Sequence, residues 1–232
     1  MDGAEFDQFA DEYYAIHTGN IAISGEQPAY FAEYKIRDLV QVHGASQRAH
    51  GTPSVLDFGA GVGTSVPYMR RYMPGAKVSC LDVSEKSLAV GRTRFGQDAE
   101  FVQFDGTTIP FDDSSFDVVF AACVFHHIDH GLHVGLLREL HRVLAPGGTA
   151  MIYEHNPYNP LTRHAVNTCP FDKNARLITA SSMRRRFSAA GFAKPVARYR
   201  VFFPGMLAGL RSLEGSLTWL PLGAQYYVAA TK

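Results

Sequence analysis

Short apolar runs recur along the chain from about residue 53 onward, and most are bounded by glycine, proline or polar residues. Runs of this length and spacing are typical of buried β-strands. The pattern predicts seven strands, at residues 54–58, 77–81, 101–104, 118–124, 149–153, 196–203 and 225–231.

Stretches between the strands carry apolar residues at helical spacing, as in 84–94 and 132–144. A further helix over 182–190 is followed by Gly191, a residue suited to a left-handed helix cap. Alternating strands and helices with short turns predict parallel strands joined by right-handed crossovers. The expected fold is therefore an α/β, Rossmann-like, doubly wound sheet.

Composition narrows the classes of partner. Twenty-two basic residues balance 22 acidic ones, so the overall charge does not favour nucleic acid. The three cysteines are far apart, which fits a reducing compartment better than a disulfide framework. The N-terminus does not have a signal-peptide pattern, and no apolar stretch approaches the ~20 residues of a membrane span. We expect a cytoplasmic protein without nucleic-acid partners or stable membrane insertion.

The most informative motif is residues 57–63, Asp-Phe-Gly-Ala-Gly-Val-Gly, between a predicted strand and a helix. Glycines at alternate positions permit a tight turn and close approach of a ligand to the backbone. A nicotinamide-binding loop has a different glycine spacing, and Asp57 two residues before the first glycine would repel a pyrophosphate. The motif instead suits a ligand that carries a cationic or amino group.

Two more acidic residues end predicted strands. Asp82 is placed to accept both hydroxyls of a ribose, as in nucleotide-binding folds of this type. Asp105, followed by Gly106, could pair with the amino group of an adenine. Together with the glycine motif, these residues predict a site for a nucleoside with an amino-acid tail.

Six segments in register resemble class I S-adenosylmethionine-dependent methyltransferases. The resemblance covers most of residues 5–154, and its N-terminal part is similar to the ubiquinone/menaquinone-type branch. It is carried by the glycine motif with Asp82 and by the segments 105–111 (DGTTIPF), 116–119 (FDVV), 124–128 (VFHHI), 138–148 (RELHRVLAPGG) and 6–13 (FDQFADEY).

The resemblance implies seven strands with an antiparallel last strand, one domain over 1–232, and S-adenosyl-L-methionine as cofactor. Within that domain it implies a helical cap at 1–50, a cofactor-binding core at 51–154, and a substrate-side segment with the last strands at 155–232. Asp57 would hold the glycine loop and accept a hydrogen bond from the ammonium group of the cofactor. Asp82 and the neighbouring Val83 would face the cofactor's ribose, and Tyr13 would serve as a lid. The remaining implied contacts are Gly59, Ala60, Gly61 and Gly63 to the methionine part, Asp105 and Gly106 to the adenine, and Ala122 and Cys123 beside the sulfonium.

Methyl transfer needs positioning, and an oxygen or nitrogen nucleophile can also need a general base. Ligands bind at the carboxyl ends of strands in such sheets, and the candidates there are His126, His127, Glu154, His155 and Asn156. Of these, we expect His127 or His155 to be the base. Helix capping or pocket lining is the alternative for each histidine. Residues 201–222 are rich in Phe, Leu and Gly, and either pack in the core or line a hydrophobic acceptor site.

The neutral charge and compact chain favour a small-molecule acceptor, with oxygen as the expected methyl acceptor. The alternatives are an N- or C-methyltransferase, including the quinone-precursor type, and a catalytically silent cofactor-binding protein. A nicotinamide-dependent oxidoreductase is disfavoured by the glycine spacing. The sequence does not predict the oligomeric state.

Two clusters of charged or titratable residues need a separate interpretation. His126, His127, His130 and His133 raise the question of a metal near Cys123, but adjacent histidines should point apart, so we expect no metal site. The basic run 184–186 is interpreted as a solvated helix face rather than a binding surface.

Overall fold

The structure, a computed structural model, describes Gly19 and residues 24–45 and 51–232. Seven strands form in the described chain, and all seven overlap the predicted ones. They are β1 (Ser54–Phe58), β2 (Lys77–Asp82), β3 (Glu100–Gln103), β4 (Phe116–Ala122), β5 (Leu144–His155), β6 (Ala193–Arg200) and β7 (Gln225–Thr231).

The described helices include the three predicted in detail and the one expected after the glycine motif. They are α1 (Pro28–Gly44), α2 (Val66–Tyr72), α3 (Glu85–Phe95), α4 (His133–Val143), α5 (Pro160–Thr168), α6 (Ala180–Ala189) and the short α7 (Glu214–Leu217). The described residues also form single 3-10 turns at Phe125–His127 and Pro170–Asp172 and a longer 3-10 segment at Gly205–Leu213.

The strands form one sheet in the order β3-β2-β1-β4-β5-β7-β6. Strands β1 to β5 are parallel to their neighbours. Strand β7 is antiparallel to both β5 and β6, which confirms the predicted seven-stranded sheet with an antiparallel last strand. The chain order reverses between β1 and β4, and this is where ligands bind in doubly wound sheets.

Successive strand residues point to opposite faces of the sheet, and both faces carry apolar side chains that helices cover. Leu56 faces α4 and α6, whose buried residues include Leu140 and Phe187. Val55 faces the other layer, where Ile36 of α1 and Met69 of α2 are fully buried. Both faces are apolar, so the strands have the near-continuous apolar runs that the sequence shows.

Two strand boundaries and one helix differ from the predictions in ways that local features explain. Strand β6 ends at Arg200, because Val201 has a left-handed backbone (φ 61°). Strand β5 starts at Leu144, and the predicted turn at residues 146–148 lies within an irregular stretch of its pairing with β4. Helix α5 was not predicted, although Asn159 caps it and Pro160 begins it, which is a recognisable start signal.

Helix α1 is the described part of the predicted cap. Its Asp38 accepts hydrogen bonds from Tyr153 of β5 and from Arg200 of β6, at 2.6 and 2.9 Å for the two Arg200 contacts. This buried network fixes α1 against the sheet and places Lys35 at the carboxyl edge of the strands. No helix in the described ranges is long and apolar enough to cross a membrane.

Candidate active site

A cavity of about 500 Å³ opens where the carboxyl ends of β1, β2, β4 and β5 meet. Its volume lies within the range of small-molecule and cofactor sites. Helices α1 and α5 close two of its sides. The predicted site residues that line it are Asp57, Gly59, Ala60, Gly61, Asp82, Ala122, Cys123, His127 and His155.

The glycine loop after β1 has the backbone that its sequence requires. Gly59 has a positive φ of 71°, and a Cβ there would lie 2.4 and 2.6 Å from the two methyl carbons of Val124. Gly61 also has a positive φ (53°), but no atom lies within 4 Å of the position of its missing Cβ. Gly59 is therefore needed for packing, whereas Gly61 leaves open space for a ligand beside the loop.

Asp82, at the end of β2, fastens this loop. One carboxylate oxygen accepts a hydrogen bond from the Gly61 amide at 2.8 Å, and the other accepts from the Ser84 amide at 2.9 Å. The sequence assigned loop-holding to Asp57, but the structure gives the Gly61 contact to Asp82. Asp82 still lines the cavity, so its predicted contact with a ribose remains compatible with its position.

Asp57 is a buried carboxylate with an unused oxygen. Its Oδ2 has no hydrogen-bond partner within the described part of the chain. Burial raises its pKa to about 7, opposed by a hydrogen bond from Ser65. A buried carboxylate oxygen without a donor is costly. The residue therefore fits a ligand that brings an ammonium group into the cavity.

Four other predicted cofactor residues lie outside the cavity lining. Gly63 packs against the Phe101 ring, and the Val83 carbonyl accepts a hydrogen bond from Gln103. Asp105 is exposed, and its Oδ1 accepts hydrogen bonds from the backbone amides of residues 107 and 108. It therefore stabilises its own loop beside Gly106, and the adenine contacts stay predictions. Tyr13 and the segment 6–13 lie outside the described residues.

Cys123 follows β4 with a left-handed backbone (φ 61°), which is uncommon for a non-glycine residue. Its Sγ lies 3.5 Å from Lys35 Nζ and 3.6 Å from Gln225 Nε2. Burial disfavours the thiolate, but the neighbouring His155 and Lys35 outweigh it and lower the pKa of Cys123 to about 7. The end of β4 is therefore a polar point on the cavity wall.

His126 is held by a buried carboxylate. Its Nδ1 donates to Glu154 Oε2 at 2.6 Å, and both side chains are at most 1% exposed. Glu154 Oε1 also accepts from the amides of Val124 and Phe125, at 3.2 and 2.7 Å. Burial opposes protonation of the imidazole, but Glu154 and Asp172 together outweigh it and raise the pKa of His126 to about 10.

Asp172, from the turn Pro170–Asp172, approaches both adjacent histidines. Its Oδ1 lies 3.4 Å from His126 Nε2 and 3.3 Å from His127 Nε2, and the two imidazole rings are 4.1 Å apart. The expectation that adjacent histidines point apart is therefore wrong, because the 3-10 turn at Phe125–His127 brings both rings to one side. Burial lowers the pKa of His127 to about 3.

His155 ends β5 and lies beside Cys123. Its Nδ1 is 3.4 Å from Gln225 Nε2, and its ring centre is 5.1 Å from that of His126. Burial favours the neutral imidazole, but the charge interaction and the hydrogen bond with Cys123 together outweigh it, and the pKa of His155 is raised. His127 and His155, the two predicted bases, are thus brought to the same wall of the cavity.

The structure adds residues that the sequence did not single out. Lys35, Asp172 and Gln225 all line the cavity. No local motif marks Lys35 and Asp172, which come from segments remote from the strand ends, and Gln225 reaches the site because antiparallel β7 begins beside His155, where β5 ends. In the basic run 184–186, Arg184 and Arg185 are exposed as predicted, but Arg186 lies 2.7 Å from His133 Nδ1.

Comparison with known proteins places the cavity in a family context. Residues 56–152 match the family described as "Methyltransferase domain". The match covers β1 to most of β5, the region that carries the glycine loop, Asp82 and the two adjacent histidines. It confirms the predicted class I methyltransferase resemblance for this part of the chain.

The chain is also similar to curated methyltransferases over part of its length. It is 34% identical over 125 residues to the ubiquinone/menaquinone biosynthesis C-methyltransferase UbiE of Hahella chejuensis, covering 51% of this chain and 49% of the relative. It is 42% identical over 116 residues to the demethylmenaquinone methyltransferase of Clavibacter sepedonicus, covering 49% and 46%. The chain thus spans about half the length of these relatives.

Solved structures extend the likeness of fold to the whole chain. A SAM-dependent methyltransferase of Thermotoga maritima has a TM-score of 0.70 at 18% identity, with all of both chains covered. Phosphoethanolamine N-methyltransferase 2 of Haemonchus contortus, in complex with S-adenosyl-L-methionine, has a TM-score of 0.66 at 17% identity, over 98% of this chain and 60% of that one. At these identities the likeness concerns the fold alone.

Proposed function

We propose that this chain, which carries a class I methyltransferase domain with S-adenosylmethionine as its cofactor, transfers a methyl group to a carbon atom of a small, hydroxyl-bearing acceptor. The observation that carries the proposal is the unpartnered Asp57 oxygen beside an open, left-handed glycine loop. Carbon replaces the oxygen acceptor expected from the sequence, because the partial relatives are named as a C-methyltransferase and as demethylmenaquinone methyltransferases.

The cofactor side of the proposal uses residues that already line the cavity. Asp57 would pair with the ammonium, Gly61 would let the methionine part approach the backbone, and Asp82 would face the ribose. When bound, S-adenosylmethionine supplies an activated methyl group on its sulfonium. The protein then has to orient the acceptor and exclude water, which can contribute roughly 7–11 kcal/mol through positioning.

The acceptor side combines an apolar wall with a polar end. The polar end is His155 with Cys123 and Gln225, at the ends of β5, β4 and β7. A ring would rest on the apolar wall with its hydroxyl toward this end. The apolar side chains that line the cavity include Phe31, Leu161, Val166, Val201 and Phe202.

Of the two predicted bases, we favour His155. It lies between the Cys123 thiol and Gln225, whereas His127 is directed at Asp172. Removal of a proton from an aromatic hydroxyl makes the neighbouring ring carbons more nucleophilic. A base at this position would therefore promote methylation at carbon, and a positioned base contributes typically 10²–10⁴-fold.

The first test is calorimetric titration of the protein with S-adenosylmethionine, S-adenosylhomocysteine and NAD. Saturable binding of the first two and none of NAD is expected. Binding without turnover on any acceptor would support the silent cofactor-binding protein instead. Absence of saturable binding to either sulfur compound would overturn the whole assignment.

The second test uses methyl-labelled cofactor with aromatic diols that carry a free ring position, simple phenols and amines. The expected product is a ring C-methyl group, identified by NMR. His155→Asn should lower kcat at least 100-fold and change cofactor affinity less than two-fold. His164→Gln, an exposed change on α5 outside the cavity lining, should leave both unchanged. O-methyl or N-methyl products alone would remove the carbon assignment.

A further inference from the structure

Two histidines and a carboxylate converge on the wall of the cavity. His126, His127 and Asp172 each offer one ligand atom, and these atoms lie within 4.8 Å of one another. All three side chains line the cavity. We propose that His126, His127 and Asp172 form a binding site for one divalent transition-metal ion of the zinc type, with a further coordination position open to the cavity.

The spacing of the cluster suits such an ion. Zinc binds histidine nitrogen and carboxylate oxygen at about 2.0–2.2 Å in tetrahedral sites, so two ligand atoms on one ion are about 3.3–3.5 Å apart. The two distances from Asp172 Oδ1, to His126 Nε2 and to His127 Nε2, are 3.4 and 3.3 Å. These two distances match the spacing of ligand atoms on one ion, and the third, between the two histidine nitrogens, is within 4.8 Å.

Glu154 prepares His126 for this role. Histidine ligands of metals almost always donate their second ring nitrogen to a carboxylate, a carbonyl or a water molecule, which fixes the tautomer. The His126 Nδ1 donates to Glu154, so Nε2 is the atom left toward Asp172. Glu154 is itself fixed by the backbone amides of Val124 and Phe125. The ring therefore has a set orientation before any ion binds.

The third ligand is also held in place from two directions. The Asp172 amide donates to the Cys169 carbonyl at 3.1 Å, and the Arg176 amide donates to the His126 carbonyl at 2.8 Å. The first bond shapes the turn Pro170–Asp172 itself, and the second ties the segment that follows this turn to the histidine turn. Because neither bond uses a ligand side chain, loss of one ligand side chain should weaken ion binding without dispersing the cluster.

The rival occupant of this position is a proton on His126 Nε2, which would hold Asp172 by a hydrogen bond. A metal ion and this proton exclude each other, so metal binding should release a proton. On the proposed function, the open position would receive a hydroxyl oxygen of the acceptor and orient its ring. That last step rests on the proposed function, but binding of the ion does not.

The experiment uses the 232-residue chain, without an affinity tag and treated with a chelator. Zn²⁺ affinity is measured by competition with a chromogenic chelator, and Co²⁺ is added separately to record visible absorption. We expect one ion per chain and a tetrahedral-type cobalt spectrum. Asp172→Asn and His127→Gln should each weaken Zn²⁺ at least ten-fold, whereas His164→Gln, an exposed histidine change, should bind as the unchanged protein does.

Circular dichroism melts show that each variant is folded, and two separate ligand variants keep the test decisive if one is not. No stoichiometric binding, or equal binding by the unchanged protein and both ligand variants, would overturn the metal site and leave the proton as occupant. These readouts need neither cofactor nor acceptor. Absence of metal binding can therefore be distinguished from absence of methyl transfer.

Discussion

The two sides of the cavity are stabilised by different interactions. On the cofactor side, residues 57–63 turn through left-handed glycines, and the backbone is fastened by Asp82. On the acceptor side, ionisable side chains contact one another: His126 with Glu154 and Asp172, and Cys123 with its neighbours. The cofactor side thus depends on main-chain geometry, and the acceptor side on charge compensation in a buried space.

This difference has an energetic consequence. A glycine loop tolerates loss of one hydrogen bond at a cost of about 0.5–1.5 kcal/mol, the net value of an ordinary bond. Removal of one member of a buried ion pair leaves an uncompensated charge, which costs about 3–5 kcal/mol. The acceptor side should therefore be the more fragile of the two when a side chain is removed.

The largest effect should follow removal of the Glu154 carboxylate. Glu154→Ala leaves His126 and two backbone amides without their acceptor, so the free energy of unfolding should fall by about 3–5 kcal/mol. Urea unfolding of the protein without cofactor measures it. Glu85→Ala removes an exposed partner of Arg92 and should change stability by less than about 0.5 kcal/mol. Equal losses of unfolding free energy in Glu154→Ala and Glu85→Ala would contradict the special cost of removing a buried partner.

A smaller effect is expected on the cofactor side. There, substitution of Gly59 tests the packing of the loop, and substitution of Gly61 tests the approach of the ligand. Gly59→Ala should destabilise by about 2–4 kcal/mol, from left-handed strain and overlap with Val124. Gly61→Ala should lose only about 1–2 kcal/mol but weaken S-adenosylhomocysteine at least ten-fold, because its methyl enters open space beside the ligand.

The control for these variants is Gly135→Ala in α4, where no atom lies within 4 Å of the added Cβ. It should keep cofactor affinity and stabilise slightly, since alanine favours a helix. Urea unfolding and calorimetry read both properties. If Gly61→Ala bound the cofactor normally, the loop would not be the methionine contact.

The smallest effect concerns pH. Ser65, Asp82 and Lys35 are the groups that act on Asp57, and burial raises its pKa to about 7. The ionised form pairs with an ammonium, so cofactor affinity should be about ten-fold higher at pH 8 than at pH 6. Asp57→Asn should bind more weakly and lose this dependence. Calorimetry at both pH values measures it, and an unchanged slope in Asp57→Asn would assign the titration elsewhere.

Ionisation of Asp57 should raise cofactor affinity but lower the stability of the cofactor-free protein. A carboxyl whose folded pKa exceeds its unfolded value of 3.8 holds its proton more tightly when folded. Its stabilising contribution is complete below pH 4 and is lost as the pH rises through about 7. Asp57→Asn should therefore flatten this part of the stability curve of the cofactor-free protein.

Much of the fold could be predicted because its signals are local. The runs 54–58 and 225–231 coincide with β1 and β7, and Gly191 has the left-handed backbone expected of a helix cap (φ 102°). Helix α5 was not predicted, although Asn159 is a typical N-cap residue and Pro160 is a typical first residue of a helix. The end of β6 at Arg200 was misplaced, because apolar residues continue past the turn at Val201.

The candidate site was predictable only in part. Asp57, Asp82 and Asp105 were all marked by their places at strand ends; Asp57 and Asp82 line the cavity, whereas Asp105 accepts hydrogen bonds within its own loop and its adenine contact stays a prediction. Asp172 had no signal, since its partners precede it by about 45 residues. A motif can identify a residue type at a strand end, but it cannot show which side chains from distant segments meet there.

The positions of the strands along the chain, the glycine turn and the methyltransferase resemblance were determined by the sequence alone, because each depends on neighbouring residues and their backbone preferences. The tertiary structure decided that the Asp57 oxygen lacks a partner, that Asp82 fastens the loop, and that Asp172 meets two histidines. These outcomes depend on burial and on distances between segments remote in the chain. Such quantities exist only once the sheet has brought the segments together.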